Sequence, residues 1–210
     1  GCAEQTLSSV LPNVVLQKLQ GFDAFRIVEK KQLDDMVTTG LTRLYTFQHG
    51  DGGFGYWQES TRSFPSLSAY TLHALSLIRD NGYAVDDGVI ARTRQYLDSA
   101  LRTSDPRQEI DAALRAQILF VLAETGGADV SLLTNLDEQR ASLPLFAKAQ
   151  LAMAFDRMKS KAKAREILTE ILKSAKVDGR GTHFEEEDQP RFASLMNTND
   201  RTSALVLQAM

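Results

Sequence analysis

Apolar residues recur every three to four positions along most of this chain, which is the spacing of a helix with one buried face. Pro12 falls inside the first such run, so we expect the first helix to be kinked or divided there. In residues 132–140 the helical spacing of apolar residues is weak. The predicted helices run over about 5–20, 33–48, 65–80, 86–101, 110–122, 143–158, 164–172 and 202–210.

The helical spacing of apolar residues is lost between Val177 and Asn199. Glycines at 179 and 181 loosen the backbone there, and Glu185 to Asp188 form an acidic run. We predict a long loop, in which the acidic run is a solvated surface or a docking surface for a neighbouring domain. No segment shows convincing strand alternation, which leaves room only for short strands inside this loop.

A glycine-dense loop separates the second and third predicted helices. Four glycines fall between positions 50 and 55, and glycine adopts turns that other residues avoid. We predict that they shape a corner rather than cradle a phosphate, because the Lys-Ser/Thr that follows a Walker loop is missing. Phe54, Tyr56 and Trp57 should pack this loop against the helices.

Pairs of helices start roughly every 35–55 residues, as in arrays where each pair buries its apolar face on the next. An open solenoid and a closed ring of helices, the alpha/alpha toroid, both fit this order. Unequal repeat lengths and the aromatic, glycine-rich corner favour the toroid. The predicted fold is therefore an all-α, alpha/alpha toroid, with residues 1–210 forming a single domain.

Composition excludes several classes of function. The chain has 24 Lys and Arg against 27 Asp and Glu, a net charge of −3 without a basic patch, so we expect no nucleic-acid partner and no direct membrane contact. No apolar run approaches the roughly 20 residues of a membrane span. His49, His73 and His183 are spaced too widely for a zinc set, and we predict no metal and no cofactor.

The candidate chemistry lies at the first residues. Cys2 is the only cysteine and precedes Gln5 by three positions, so on a helical turn its thiol lies beside the carboxamide carbon. A thiolate in that position can displace ammonia and leave an intramolecular thioester, a stored acyl group. Two alternatives remain for Cys2: a buried, inert thiol, or a lipid acceptor, because lipoprotein signals also end in Gly-Cys.

Three other residues have candidate supporting roles. Glu4 is either a favourable charge on a first helical turn or a participant in the chemistry. Tyr56 and Trp57 are either packing residues or shields that keep water from the stored acyl group.

The sequence Gly1-Cys2-Ala3-Glu4-Gln5 resembles the Gly-Cys-x-Glu-Gln thioester motif of the alpha-2-macroglobulin and complement family, and of its bacterial members above all. Further segments resemble those members in the same order: 51–57, 67–70, 81–83 and 199–205. The resemblance implies an alpha/alpha toroid with the motif at the start of a helix. It also implies a thioester-domain fragment that lacks a helix or more at each end.

The resemblance further implies a broad-spectrum endopeptidase inhibitor rather than an enzyme. Its Cys2–Gln5 pair would trap target proteases once, covalently, through their amines. Its other partners would be further domains of the same parent chain, in the periplasm or cell envelope, with a lipoprotein parent or an extracellular location as variants. Many vertebrate members use a later histidine for acyl transfer; the matching stretch, 102–108, has none, which implies direct attack by amines.

Two other classes of function stay open at this point. One is an enzyme on an alpha/alpha toroid, which needs carboxylates at the ring mouth; Asp86 and Asp87 are a poor version of such a set. The other is a helical scaffold that binds partners without covalent chemistry.

Overall fold

The computed structural model describes residues 1–20, 22, 28–103, 110–179, 181–186 and 198–210. Within these ranges it contains nine α-helices, a short 3-10 helix at Arg140–Ser142 and one two-stranded hairpin. The helices are α1 (Ala3–Leu19), α2 (Lys30–Tyr45), α3 (Pro65–Asp80), α4 (Asp87–Arg102), α5 (Ala112–Glu124), α6 (Val130–Glu138), α7 (Leu145–Arg157), α8 (Lys161–Leu172) and α9 (Asn199–Ala209). The strands, β1 (Lys176–Asp178) and β2 (Gly181–His183), pair antiparallel with Val177 opposite Thr182.

Two compact units divide the chain, Gly1–Gln108 and Glu109–Met210. In the first unit, α1 packs on α2 and α3, and α3 packs on α4. Helices α1 and α2 approach closely at Gly40, where an added Cβ would lie 2.1 Å from Val10 Cγ2. The core of this unit is built from the apolar faces predicted by the helical period, including Leu7, Val10, Leu33, Val37, Ile78 and Leu97.

The glycine-dense loop forms a corner tied to α4. Gln48 and Phe54 make an isolated antiparallel bridge, and Gln48 Nε2 donates to Thr93 Oγ1 on α4 at 3.0 Å. Gly52 has φ +88° and lies so near α4 that a Cβ there would be 2.3 Å from Arg92 O. The predicted corner role is therefore confirmed for Gly52.

Helix α7 is the centre of the second unit and packs against α5, α6, α8 and α9. Its residue at the N-cap, Pro144, offers no side-chain cap, and Glu186 supplies one instead. The Glu186 carboxylate accepts from Leu145 N at 3.2 Å and from Phe146 N at 2.7 Å. This contact fastens the segment after β2 to the start of α7.

Several local predictions need correction. Helix α1 runs without interruption through Pro12, so its division there is wrong, and the weakly periodic segment forms α6 and the 3-10 helix. The hairpin was not predicted as such because all three residues of β1 are exposed and give no alternating signal. The later part of the predicted loop, 187–197, lies outside the described residues. None of the helices described is long and apolar enough to cross a membrane.

Candidate functional site

Cys2 and Gln5 hold each other at the start of α1. Cys2 is the N-cap, with extended backbone (φ −78°, ψ 175°), and its Sγ accepts from Gln5 N at 3.4 Å. In return, Cys2 N donates to Gln5 Oε1 at 3.0 Å. This is the reciprocal arrangement of a capping box, in which the thiol takes the place of the usual Ser or Thr hydroxyl. The structure therefore places Cys2 and Gln5 at one helical turn, where each side chain accepts from the backbone N–H of the other residue.

The residues on either side of Cys2 are anchored from two directions. Arg43, on α2, donates from its guanidinium to Gly1 O at 2.7 Å, and Ala3 N donates to Tyr56 O at 2.9 Å. Gly1 itself leaves room for the carboxamide, because a Cβ at this position would lie 2.7 Å from Gln5 Oε1. These contacts fix the direction of the Cys2 N–H group that meets the Gln5 oxygen.

The two reactive side chains face different surroundings. Cys2 is only 8% exposed, and the Thr6 hydroxyl donates from Oγ1 to Cys2 O at 3.0 Å. Gln5 is exposed and lines a groove of about 650 Å³ between α1 and α2. Ser9, Val10, Met36, Thr39 and Arg43 also line this α1–α2 groove. The thiol is thus on the protein side of the pair and the carboxamide on the solvent side.

Tyr56 contributes to the electrostatics of the site. It is half-buried, and its ring meets Phe64 edge-on with the two centroids 5.0 Å apart. Burial raises the pKa of its phenol, and negative charge on Glu4 and on Cys2 raises this pKa further. Tyr56 therefore stays protonated beside the pair. Glu4 is exposed on the first turn of α1.

Trp57 does not pack as the sequence suggested. Its side chain is 54% exposed, whereas Phe54 in the same loop is fully buried. Trp57 lines a smaller cavity of about 400 Å³ next to Gly1 and Arg43. The prediction that all three aromatic residues pack the loop is therefore wrong for Trp57.

His49 is not arranged as the base of a catalytic triad. His49 Nδ1 lies 3.1 Å from Ser63 Oγ, which donates to Asp51 Oδ1 at 2.7 Å. The serine is therefore the middle residue of these three hydrogen-bonded side chains, whereas a Ser-His-Asp triad needs the histidine in the middle. Among the residues that the structure describes, no group of three or more His, Cys, Asp or Glu could hold a metal ion. Residues 104–108, most of the stretch that lacks an acyl-transfer histidine, lie outside the residues that the structure describes.

A family model described as the A-macroglobulin TED domain matches residues 1–105, half of the chain and the half that contains Cys2 and Gln5. This chain belongs to the A-macroglobulin TED-domain family. TED denotes the thioester-containing domain, and the resemblance seen in the sequence is thereby confirmed.

Curated relatives of this TED domain are bacterial. The chain is 34% identical to the alpha-2-macroglobulin of Thermotoga maritima over 97 residues, which are 46% of this chain and 6% of that protein. It is 27% identical to the alpha-2-macroglobulin of Escherichia coli K12 over 190 residues, 83% of this chain and 11% of that protein. The chain thus spans a small part of the length of these relatives.

Solved structures confirm the fold of the TED domain. Native Escherichia coli alpha-2-macroglobulin, spanning domain MG7 to the C-terminus, matches with a TM-score of 0.77 at 24% identity, over all of this chain and 33% of that one. Salmonella alpha-2-macroglobulin reacted with methylamine matches with a TM-score of 0.75 at 22% identity, over all of this chain and 15% of that one. The all-α, alpha/alpha toroid class is confirmed.

Site residues that the sequence did not single out are Arg43 and Thr6. Arg43 is an ordinary basic residue in the last turn of α2, and its contact with Gly1 joins positions 42 apart. The sequence around Arg43 contains no feature that predicts this contact. Thr6, four positions after Cys2, could have been found from helical spacing alone.

Proposed function

We propose that Cys2 and Gln5 of this TED domain form an internal thioester, which transfers its acyl group once to an amine of a target protease. The observation that carries the proposal is the reciprocal capping contact, in which each of the two side chains accepts from the backbone N–H of the other residue. In this proposal residues 1–210 act as one domain within a larger inhibitor of the periplasm or cell envelope.

Formation of the bond uses groups already in position. Cys2 Sγ attacks the carboxamide carbon of Gln5, the bond from that carbon to Nε2 breaks, and the thiol proton leaves with the nitrogen as ammonia. Negative charge that develops on Oε1 is stabilised by the Cys2 N–H, 3.0 Å away, and by the positive end of the α1 dipole. Both partners share one helical turn, so the reaction needs only rotations about side-chain bonds.

Discharge of the bond accounts for single use. An amine attacks the Gln5 carbonyl carbon, the carbon–sulfur bond breaks, and an amide joins Gln5 to the attacking molecule while Cys2 regains its thiol. Ammonia has already left, so nothing restores the starting state. The low exposure of Cys2 keeps water from the sulfur side of the stored bond, and the half-buried Tyr56 supports this shielding there.

Relatives support this reading of the target. Structures similar to this domain include Escherichia coli alpha-2-macroglobulin activated by porcine elastase and the Salmonella protein reacted with methylamine. By analogy, proteases are the targets here and their amines are the nucleophiles. Further domains of the parent chain are then the other partners.

Intact mass and thiol titration test the proposal. The thioester form should be lighter by one ammonia, roughly 17 Da, should show a blocked thiol, and should gain methylamine at Gln5. Gln5→Glu and Cys2→Ala should abolish methylamine uptake. Gln95→Glu makes the same chemical change at an exposed position of α4 and should leave uptake intact.

The same measurements on the full parent protein show whether the thioester is missing only from residues 1–210 on their own or does not form in either protein. A full mass, a freely titrating Cys2 and no methylamine uptake in both proteins would refute the thioester. Retention of target binding in the Cys2→Ala variant would then favour a non-covalent scaffold.

A further inference from the structure

We propose that the α1–α2 groove is the binding site of the attacking nucleophile, and that it selects primary amines with an unbranched aliphatic stem. This inference rests on the thioester proposed above and names the acceptor class of that same site.

Exposure decides the side from which an amine can reach the bond. The acyl carbon belongs to Gln5, which is exposed and lines the groove, whereas Cys2 is 8% exposed. Attack from solvent therefore comes through the groove, and the sulfur leaves toward the protein. The amine nitrogen bonds to the Gln5 carbonyl carbon as the carbon–sulfur bond breaks, and the proton lost by the nitrogen passes to the Cys2 sulfur.

The walls of the groove suit an alkyl chain. Met36 is 46% exposed in it, and Val10 forms part of its floor, where Gly40 lets the two helices approach. From Gln5 to Asn13 the α1 wall runs about 12 Å, at about 1.5 Å per residue. That length accommodates a lysine side chain or a six-carbon amine laid along the groove.

Charge at the reactive end favours the nucleophilic form of the amine. The Arg43 guanidinium lines the groove beside Gln5 and is held at Gly1 O, 2.7 Å away. The other charged residue of the lining, Asp35, lies about 12 Å along α2 from Arg43 and pairs with Lys31 at 2.7 Å. At the reactive end the positive charge of Arg43 therefore disfavours an ammonium ion and favours the neutral amine, whose nitrogen carries the lone pair that attacks. The groove thus combines an apolar path for the stem with a site that admits the head uncharged.

Aminolysis rates with a series of linear amines, methylamine to hexylamine, test the selection. Each methylene that contacts the half-open groove should raise the second-order rate about twofold, half the logarithmic effect of full burial, so hexylamine should react about 30-fold faster than methylamine. The readout is thiol release together with the mass of the adduct, at equal concentrations of neutral amine.

A matched pair of variants locates the effect. Ser9 and Ser8 are adjacent and exposed on α1, but Ser9 lines the groove and Ser8 is outside its lining. Ser9→Tyr should fill the groove and lower the hexylamine-to-methylamine rate ratio at least about tenfold, whereas Ser8→Tyr should keep the parent ratio. Met36→Gln removes an apolar wall and should reduce the ratio without blocking entry.

Two results would overturn the inference while leaving the thioester intact. One is a rate that does not rise with chain length, and the other is the same ratio in Ser9→Tyr and Ser8→Tyr, each with normal methylamine uptake. If no thioester forms, the proposed function fails, and the groove is judged by NMR titration of Cys2→Ala protein with n-hexanol, an uncharged probe with the same six-carbon stem. Shifts confined to groove residues support binding there; shifts spread over the surface overturn it.

Discussion

Replacing Gly40 by alanine tests whether the close approach of α1 and α2 depends on the missing side chain. A Cβ at Gly40 would lie 2.1 Å from Val10 Cγ2, far inside the roughly 4 Å at which apolar carbons touch. Val10 is 2% exposed and β-branched, so its methyl groups have few other rotamers to occupy. The new methyl group must push the helices apart or displace Val10.

Two opposing effects set the magnitude. Alanine is favoured over glycine inside a helix by about 1 kcal/mol. Overpacking of a tight core costs about 1–3 kcal/mol, and the 2.1 Å approach belongs at the upper end of that range. We expect Gly40→Ala to lower the free energy of unfolding by about 1–2 kcal/mol, with the packing cost exceeding the gain in propensity.

Urea denaturation followed by circular dichroism measures this change, and a double-mutant cycle assigns it to the contact. Val10→Ala removes the methyl group that the new Cβ would strike, so in that background Gly40→Ala should be neutral or stabilising. The coupling energy should be at least about 1 kcal/mol. Thr39→Ala, at the neighbouring exposed position of α2, controls for helix propensity alone.

Refutation would be equally clear. If Gly40→Ala were stabilising by the full propensity difference, and if its effect were the same with Val10 or Ala at position 10, the two helices would have room to spare. The account of the groove floor would then be wrong as well.

Three further changes have defined outcomes. Arg140→Met removes a mostly buried side chain that pairs with Asp137 at 2.6 Å and with two carboxylates of α8. It should lower the free energy of unfolding, measured in urea, by about 2–4 kcal/mol, and an unchanged urea midpoint would contradict this. Glu186→Ala removes both caps of α7 and should cost about 1–2 kcal/mol, with faster hydrogen exchange at the first turn of α7 as the local readout. The pKa of Asp34 is lowered from 3.8 by hydrogen bonds from Lys30 and then from Tyr83, so its contribution to stability is present above that pH and lost as the pH falls below it. Asp34→Asn should therefore make stability less dependent on pH below the ordinary carboxyl pKa of 3.8, and an unchanged dependence at acid pH would contradict these contacts in solution.

Helix boundaries were predictable where the signal is local. Pro65 at the start of α3, Asp86 as the N-cap of α4 and Gly82 with φ +87° after α3 all lie where their backbone chemistry predicts. The hairpin and Trp57 were missed for the opposite reason. Exposure of β1 and of Trp57 depends on what the rest of the chain covers, which neither short window of sequence contains.

In the candidate site, too, some features follow from local sequence and others depend on the packed chain. Spacing of three was enough to predict that Cys2 and Gln5 meet at one helical turn, where each side chain accepts from the other's backbone N–H. The contacts of Arg43 with Gly1 and of Tyr56 with Ala3 join distant parts of the chain, and only the packed first unit reveals them.

The contact between Arg43 and Gly1 O also has a consequence for biosynthesis. It exists only after α1 and α2 have packed, and it orients the segment that presents the Cys2 N–H to the Gln5 oxygen. A nascent or misfolded chain lacks that alignment, so self-acylation should follow folding rather than precede it. The state of a single sulfur atom would then record whether a given copy matured correctly: masked in copies that folded, and open to a thiol-reactive dye in those that did not.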